Sequence, residues 1–552
     1  MLQWLVIVPP ILLLLIAFFT HNILLSLLVG ITSASLIAAQ FSLTGAAYVL
    51  FEYCKRHVMG PDFFSLFGFL FVLGAIIALI THTGGSCAFS NILTKRIKSA
   101  RASESTSLSL SLLLCVDDYL NSLTMGCLMR PLTDKFKVPR AKLAYLIDVM
   151  ASPLAVLVPV SSWIAFIVKQ LKDSGVRIGF TKYVQHQFDF PGGMFRIGHD
   201  VLVQADPFYT YVKSIPFIFY SFIVILTAWF VVRRRISYGP MAEQERIAKE
   251  TGNLYGGKEP RFKFTHEEPR TDKTYLSDFL VPILSLIICT LITIPYSGGY
   301  YLFGGTYTLL ESLRKVDIFP VLLFASVFSF SISCILALIR KKIKIQHIPL
   351  FIARGIHLMY PSVIIVFCAL VFSSLLDDKL HTGTYIAYLI LPYINLHLLP
   401  FIIFVLTSLV AMGTGSSWGT IAIMIPISIP MLSTLSALPG PIPLKDIYIL
   451  LPTIGAVISG SLAGAQLSPI SDPVTMASTS SGAYQIDHVK TQFWYLVPVI
   501  IGTSISFIVA GYLPVNGTTL NGFVCMTIGL TISIGLTYLF NLLYKKRSPE
   551  TE

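Results

Sequence analysis

Charge is scarce in this sequence. Of 552 residues only 12% are Asp, Glu, Lys or Arg, whereas 54% are hydrophobic and the mean hydropathy is +0.74. A water-soluble fold would lack the polar surface to cover itself, so the chain is expected to lie in a lipid bilayer. Paired cysteines are also lacking. The eight cysteines (Cys54, Cys87, Cys115, Cys127, Cys289, Cys334, Cys368 and Cys525) sit mostly in apolar segments without C-x-x-C spacing. That excludes a disulfide framework and a thiolate metal site, and leaves small apolar fillers. No basic segment or small-residue cleavage site follows Met1, so the first apolar run reads as a retained helix. A phosphate-binding loop is missing as well: Gly252 to Lys258 has the spacing, but Glu259 stands where Ser or Thr is required, with no strand before it and no apolar helix after it. Neither a nucleotide nor another cofactor is expected, and ion gradients remain as the energy source.

The net charge of +12 would suggest a nucleic-acid partner in a soluble protein, but here Lys and Arg cluster between apolar runs. That is a topology signal. Runs long enough to span the hydrocarbon core fall near 2–19, 22–41, 62–82, 143–168, 214–232, 276–296, 317–339, 356–376, 447–470, 494–513 and 520–544, about eleven transmembrane helices. Basic clusters at Lys95 to Arg101, Arg130 to Lys142, Arg233 to Arg235, Arg340 to Lys342 and Lys545 to Arg547 should face the cytoplasm. The first two flank the apolar stretch Leu108 to Met129, so a single crossing would put them on opposite sides. A re-entrant hairpin over 105–130, with its tip at Asp117 to Ser122, removes the conflict. A second, over 400–435, would carry the tip Gly413 to Thr420 and enter from the outer face.

The chain then reads as an all-α polytopic membrane protein of two inverted-topology repeats. The first repeat, 1–232, holds hairpin 105–130 and a broken helix at 143–168; the second, 276–513, holds hairpin 400–435 and a broken helix at 447–473. A cytoplasmic linker, 233–275, joins them, and 514–552 adds a C-terminal helix and basic tail. The charged segment Lys169 to Lys213 falls outside, as does the N-terminus, in what is expected to be a bacterial cytoplasmic membrane. Interrupted segments at matching places in inverted repeats point to a secondary transporter with its site near the midplane.

Acids supply the chemistry. Asp117, Asp118 and Asn121 sit at the first hairpin tip, and intramembrane carboxylates are costly unless they meet a cation or line a cavity. Each broken helix is expected to break at serine-proline, at Asp148 to Pro153 with Ser152, and at Ser468 to Pro473 with Ser471 and Asp472. Proline removes an amide donor and frees a carbonyl upstream. Such carbonyls, serine hydroxyls and a carboxylate are oxygen ligands for a small hard cation. Thr414, Ser416, Ser417 and Thr420 offer hydroxyls at the second tip. Asp117, Asp118, Asp148 and Asp472 could trade a proton for a cation, and mutual exclusion at shared carboxylates would couple the two fluxes without a covalent step.

These residues resemble the NhaC-type sodium/proton antiporters of the ion transporter superfamily. The likeness runs from Asp117-Asp118-Tyr119 through Met129 to Asp134, from Ala144-Tyr145 to Ser161-Ser162-Trp163, and through Gly413 to Thr420 and Ser468 to Asp472. It covers most of the membrane part, and it implies sodium/proton exchange or, in some relatives, exchange of small carboxylates such as malate and lactate. It also adds Ser161 and Ser162 to the site and makes Asp118, Asp148 and Asp472 candidate sodium ligands. The family usually carries Gly-Asp-His-Cys before Ser-Pro-Ile-Ser-Asp-Thr, whereas Gly464-Ala465-Gln466-Leu467 precedes Ser468 here and Pro473 follows Asp472. Asp118 or Asp148 is therefore expected to carry the proton, with no compensating histidine nearby. Cation/proton exchange stands ahead of carboxylate or amino-acid exchange on the density of acids in the first half.

Other readings carry less. An intramembrane aspartyl protease needs two aspartates on facing helices, whereas Asp117 and Asp118 are neighbours and no Gly-x-Gly-Asp segment exists. His57, His82, His199 and His381 read as interfacial, and Asp377-Asp378-Lys379 as solvated charge in an outer turn. Trp163 and Trp418 suit either a pocket wall or an interface anchor. The expected partners are the bilayer, a small cation, the proton and in the alternative a small carboxylate, with room for a homodimer and none for nucleic acid.

Overall fold

A computed structural model describes residues 3–20, 23–85, 88, 97–115, 118–158, 161–177, 186–190, 193–197, 203–259, 275–308, 312, 316, 318–380, 382, 395–435, 442–444, 447, 449–469, 471–513 and 519–547. Helices dominate. Long apolar segments in lipid must satisfy every backbone group internally, and the helix does so within one segment. In the first half the helices are α1 (Val8–Thr20), α2 (Ile23–Ala38), α3 (Leu43–Val58), α4 (Pro61–His82), α5 (Ala100–Ser111), α6 (Asp118–Lys135), α7 (Arg140–Ala155), α8 (Ser162–Asp173), α9 (Pro207–Ser214) and α10 (Phe219–Arg234). The linker forms α11 (Gly239–Thr251). Then come α12 (Ser277–Ser297), α13 (Ile318–Ile339), α14 (Ile348–Leu375), α15 (Leu399–Thr414), α16 (Ser417–Leu435), α17 (Leu450–Leu467), α18 (Asp472–Ser481), α19 (Gln485–Tyr512) and α20 (Thr519–Arg547).

Among the described residues seven helices are long and apolar enough to cross a membrane, or up to nine if each of two bent pairs is one span. The eleven expected spans differ in form for local reasons. The 143–168 window is divided between α7 and α8, and the 214–232 window begins in α9, bent by 43° from the helix that follows. α2 turns through 119° into α3, a helix that hydropathy alone did not separate.

Burial sorts the helices into an interior and a periphery. Every residue of α7, and all of α17 from Leu450 to Gln466, is buried. A helix covered on all sides belongs at the centre. α12, α13, α15 and α20 instead expose apolar side chains such as Ile288, Leu291, Phe324, Ile335, Leu409 and Leu543, the composition of a lipid-facing surface. Small residues bring the arms together. A Cβ on Gly460 would stand 2.7 Å from the Phe404 carbonyl oxygen, and one on Gly464 would overlap the Ser408 carbonyl, so α15 and α17 approach backbone to backbone.

The all-α expectation needs one correction. Within the charged segment after α8, β1 (Val176–Arg177) pairs in parallel with β4 (Val203–Gln204), and β4 with β5 (Ile442–Pro443) beyond α16. β2 (His186–Phe190) and β3 (Gly193–Ile197) form an antiparallel pair. Sheet hydrogen bonds thus fasten together two connections that are distant in sequence.

Candidate functional site

Both expected tips are helix breaks, though shorter than expected. α5 ends in a 3-10 turn at Leu112–Leu114, and Asp118 already opens α6, so Asn121 and Ser122 are helical. An acid in a first turn is favoured by the helix dipole, which draws the helix start back to Asp118. At the second tip only Gly415 and Ser416 are non-helical, with Gly415 at φ +70°, a conformation open to glycine. Ser416 Oγ accepts from Gly419 N at 3.1 Å, and Thr420 Oγ1 donates to the Ser416 carbonyl at 2.7 Å.

The two serine-proline motifs behave differently. Pro469 pushes Ser468 into extended backbone, α17 stops at Leu467, and α18 starts at Asp472. Ser471 caps that start, its Oγ accepting from Val474 N at 3.4 Å. Ser152-Pro153, by contrast, stays inside α7, which continues to Ala155. The expected break at Pro153 falls instead after Ala155, where α7 ends, because a fully packed helix tolerates the missing amide where neighbours re-satisfy the backbone.

Asp118 and Asn121 are buried, and Ser152 Oγ donates to Asp118 Oδ2 at 2.9 Å. Asn121 Nδ2 donates to the Ser111 carbonyl at 3.0 Å, holding α6 against the end of α5. Asp148 lies four residues before Ser152, one turn along the same face of α7. Its Oδ2 accepts from Gln492 Nε2 at 2.5 Å, its carbonyl accepts from Gln466 Nε2 at 2.6 Å, and its Oδ1 has no hydrogen-bond partner among the described residues. Tyr220 Oη donates to Gln466 Oε1 at 2.5 Å, and His488 Nε2 lies 2.8 Å from Gln492 Oε1. All of these side chains are buried.

α8 and α16 meet next to this core. Trp163 and Trp418 have ring centroids 5.3 Å apart, and Phe166 stacks on Trp418 at 4.9 Å. Both tryptophans are buried and form a wall inside the protein, which decides against interface anchoring. Ser161 is buried at the start of α8, and Ser417 Oγ donates to the Ser461 carbonyl at 3.2 Å. α6 in turn packs on α18 closely enough that a Cβ on Gly126 would overlap the Ser480 backbone. α6 therefore rests on the helix after the break at Ser468, and α16 on the helix after the break that follows α7.

Among the described residues no three His, Cys, Asp or Glu side chains gather as a metal site. Asp118, on α6, and Asp148, on α7, occupy separate hydrogen-bonded settings, the first held by Ser152 and the second by Gln492. Asp117 lies outside the described residues, as do the side chains of Ser162, Thr414 and Asp472, while Ser468 is buried.

The absence of a histidine near Asp148 is also overturned, since His488 reaches it through Gln492. His488 and Gln492 were missed because the apolar window opened at 494, just beyond them. They stand in the polar first turns of α19, among Gln485, Asp487, Lys490 and Thr491, where nothing in the sequence set them apart. Asp378 and Lys379 are exposed, as solvated charge would be, and Asp378 is ion-paired to Arg56 at 2.5 Å; His199 and His381 lie outside the described residues. Lys142, expected at a solvated cytoplasmic face, is buried between Glu104 and Glu245.

Residues 154–512 match the sequence profile of the Na+/H+ antiporter family. Over 539 residues the chain is 30% identical to an uncharacterized protein of Haemophilus influenzae, covering 96% of this chain and 94% of that one. Over 139 residues, 24% of this chain and 27% of the relative, it is 32% identical to the malate-2H+/Na+-lactate antiporter of Bacillus subtilis. In fold it is similar to the YdaH transporter of Alcanivorax borkumensis, with a TM-score of 0.51 at 13% identity, covering 86% of this chain and 91% of that one.

Proposed function

We propose, from the premise that this chain belongs to the Na+/H+ antiporter family, that it is a secondary active transporter exchanging sodium for protons by alternating access. The observation that carries this is Asp148, a wholly buried carboxylate with one oxygen held by Gln492 and the other without a partner among the described residues. A buried carboxylate in that state is costly unless a proton or a cation completes it. Either does so, and each excludes the other. Asp118 at the start of α6, accepting from Ser152 one turn beyond Asp148 on α7, offers a second oxygen site beside that helix. The Asp472 carboxylate and the hydroxyls of Ser468 and Ser471 would line the facing half.

The crossed packing of α6 on α18 and of α8 against α16 supports two inverted repeats with the site between them. The basic clusters support a cytoplasmic C-terminus in a bacterial cytoplasmic membrane. Carboxylate exchange is the second reading, favoured by the partial likeness to a malate-2H+/Na+-lactate antiporter and by the serine-rich break before α18. Asp148→Asn and Asp118→Asn test the proposal in proteoliposomes. Each should abolish coupled exchange while the protein remains folded in the membrane, and wild-type rates in both would dismiss carboxylate competition as the mechanism.

A further inference from the structure

Asp148, Gln492, Gln466, Tyr220, His488 and Ser478, from α7, α19, α17, α10 and α18, form one buried hydrogen-bonded chain. The direction of its links follows from one fixed acceptor. Gln492 Nε2 lies 2.9 Å from the Gln466 backbone carbonyl, which can only accept, so the amide must turn its nitrogen that way. The same nitrogen lies 2.5 Å from Asp148 Oδ2, and both of its hydrogens are then committed. Gln492 Oε1 points to the opposite side, where His488 Nε2 stands 2.8 Å away and must carry the hydrogen. In a neutral imidazole Nδ1 is then an acceptor, and the Ser478 hydroxyl 2.9 Å from it donates.

The consequence falls on Asp148. Its Oδ2 meets an N–H that can never accept, and its Oδ1 is buried without a partner among the described residues. A carboxylate free to rotate would offer two equivalent oxygens, whereas one pinned at Oδ2 offers one. We infer that Gln492, locked by His488 and Ser478, is a positioning residue that reserves Asp148 Oδ1 as the single oxygen open to the transported ion. The inference rests on the proposal above that Asp148 is at the transport site. Gln466 supports the arrangement from the other side, since its own amide is fixed between Tyr220 and the Asp148 carbonyl.

Two measurements on the full-length protein in lipid test this. The first does not depend on transport: nitrogen-15 spectra of histidine-labelled protein, with the His488 signal assigned by its loss in His488→Gln. Neutral His488 should carry its proton on Nε2, and Gln492→Met, which keeps the length and lacks the amide, should erase that preference. A proton on Nδ1 in the wild type, or no change in Gln492→Met, overturns the inference.

The second measurement is the half-saturating sodium concentration for proton flux in proteoliposomes. Gln492→Met should raise it by about tenfold or more while the maximal rate changes by less than about twofold, the size of a lost hydrogen bond to a charged group. His488→Leu should move it the same way, and His488→Gln, which retains an N–H there, should stay near wild type. If Gln492→Met does not fold, that histidine pair carries the same test. Wild-type half-saturation in both Gln492→Met and His488→Leu refutes the positioning role and leaves the transport reading standing. Sodium-independent wild-type protein refutes the transport reading, and the histidine spectrum still decides the hydrogen-bond directions.

Discussion

Lys142→Met removes the cation from the centre of a buried ion group that ties the linker helix α11 to the start of the first hairpin and to central helix α7. Lys142 Nζ stands 3.2 Å from Glu104 Oε1 and 2.5 Å from Glu245 Oε1, with the three side chains 2%, 1% and 9% exposed. Breaking such a pair from one side leaves an uncompensated buried charge and costs about 3–5 kcal/mol. Arg235 Nη1, 2.9 Å from Glu104 Oε1, still serves that carboxylate. Glu245 is the group left stranded, which places the expected loss near the lower end, about 3 kcal/mol. The double variant Lys142→Met/Glu245→Gln replaces the stranded carboxylate with a neutral amide and should recover about 2 kcal/mol or more of that loss. A double-mutant cycle on unfolding in lipid-like detergent measures both quantities. A loss in Lys142→Met within about 0.5 kcal/mol of wild type, the range of ordinary surface substitutions, would refute the buried group.

Three further outcomes are expected. Single cysteines at Arg101 and Lys137, both exposed, should react with a membrane-impermeant reagent from the same side; opposite sides would end the hairpin scheme and the inverted repeats with it. Gly126→Leu should destabilise the protein by about 1–3 kcal/mol or block its folding, because the side chain would enter the Ser480 backbone across the α6–α18 contact; a fully stable variant would show that the contact opens. Ser152→Ala should weaken sodium-driven exchange by about tenfold through the lost donor to Asp118, and an unchanged half-saturation would remove Asp118 from the site.

The interior of this fold was legible wherever a physical cost had to be met. Asp118, Asp148, Asn121, Ser152 and Ser416 stood out as polar groups inside apolar runs, and all are buried. The break before Asp472 was legible because proline restricts the residue before it; the break after α7 was misplaced because packing around Pro153 overrode the same rule. His488 and Gln492 were illegible to a hydropathy window, since their meaning depends on Asp148 and Gln466 lying beside them in space. The partners of Lys142 and Asp378 were illegible for a related reason. A charge's partner over a hundred residues away is set by tertiary packing alone.

Purified protein in liposomes, with an imposed sodium gradient and a pH dye in the lumen, tests the central claim most directly. Sodium alone, with no carboxylate present, is predicted to drive proton movement in the opposite direction, and Asp148→Asn is predicted to abolish it. Proton movement that strictly requires malate, lactate or an amino acid would contradict sodium/proton exchange and make the protein a carboxylate exchanger.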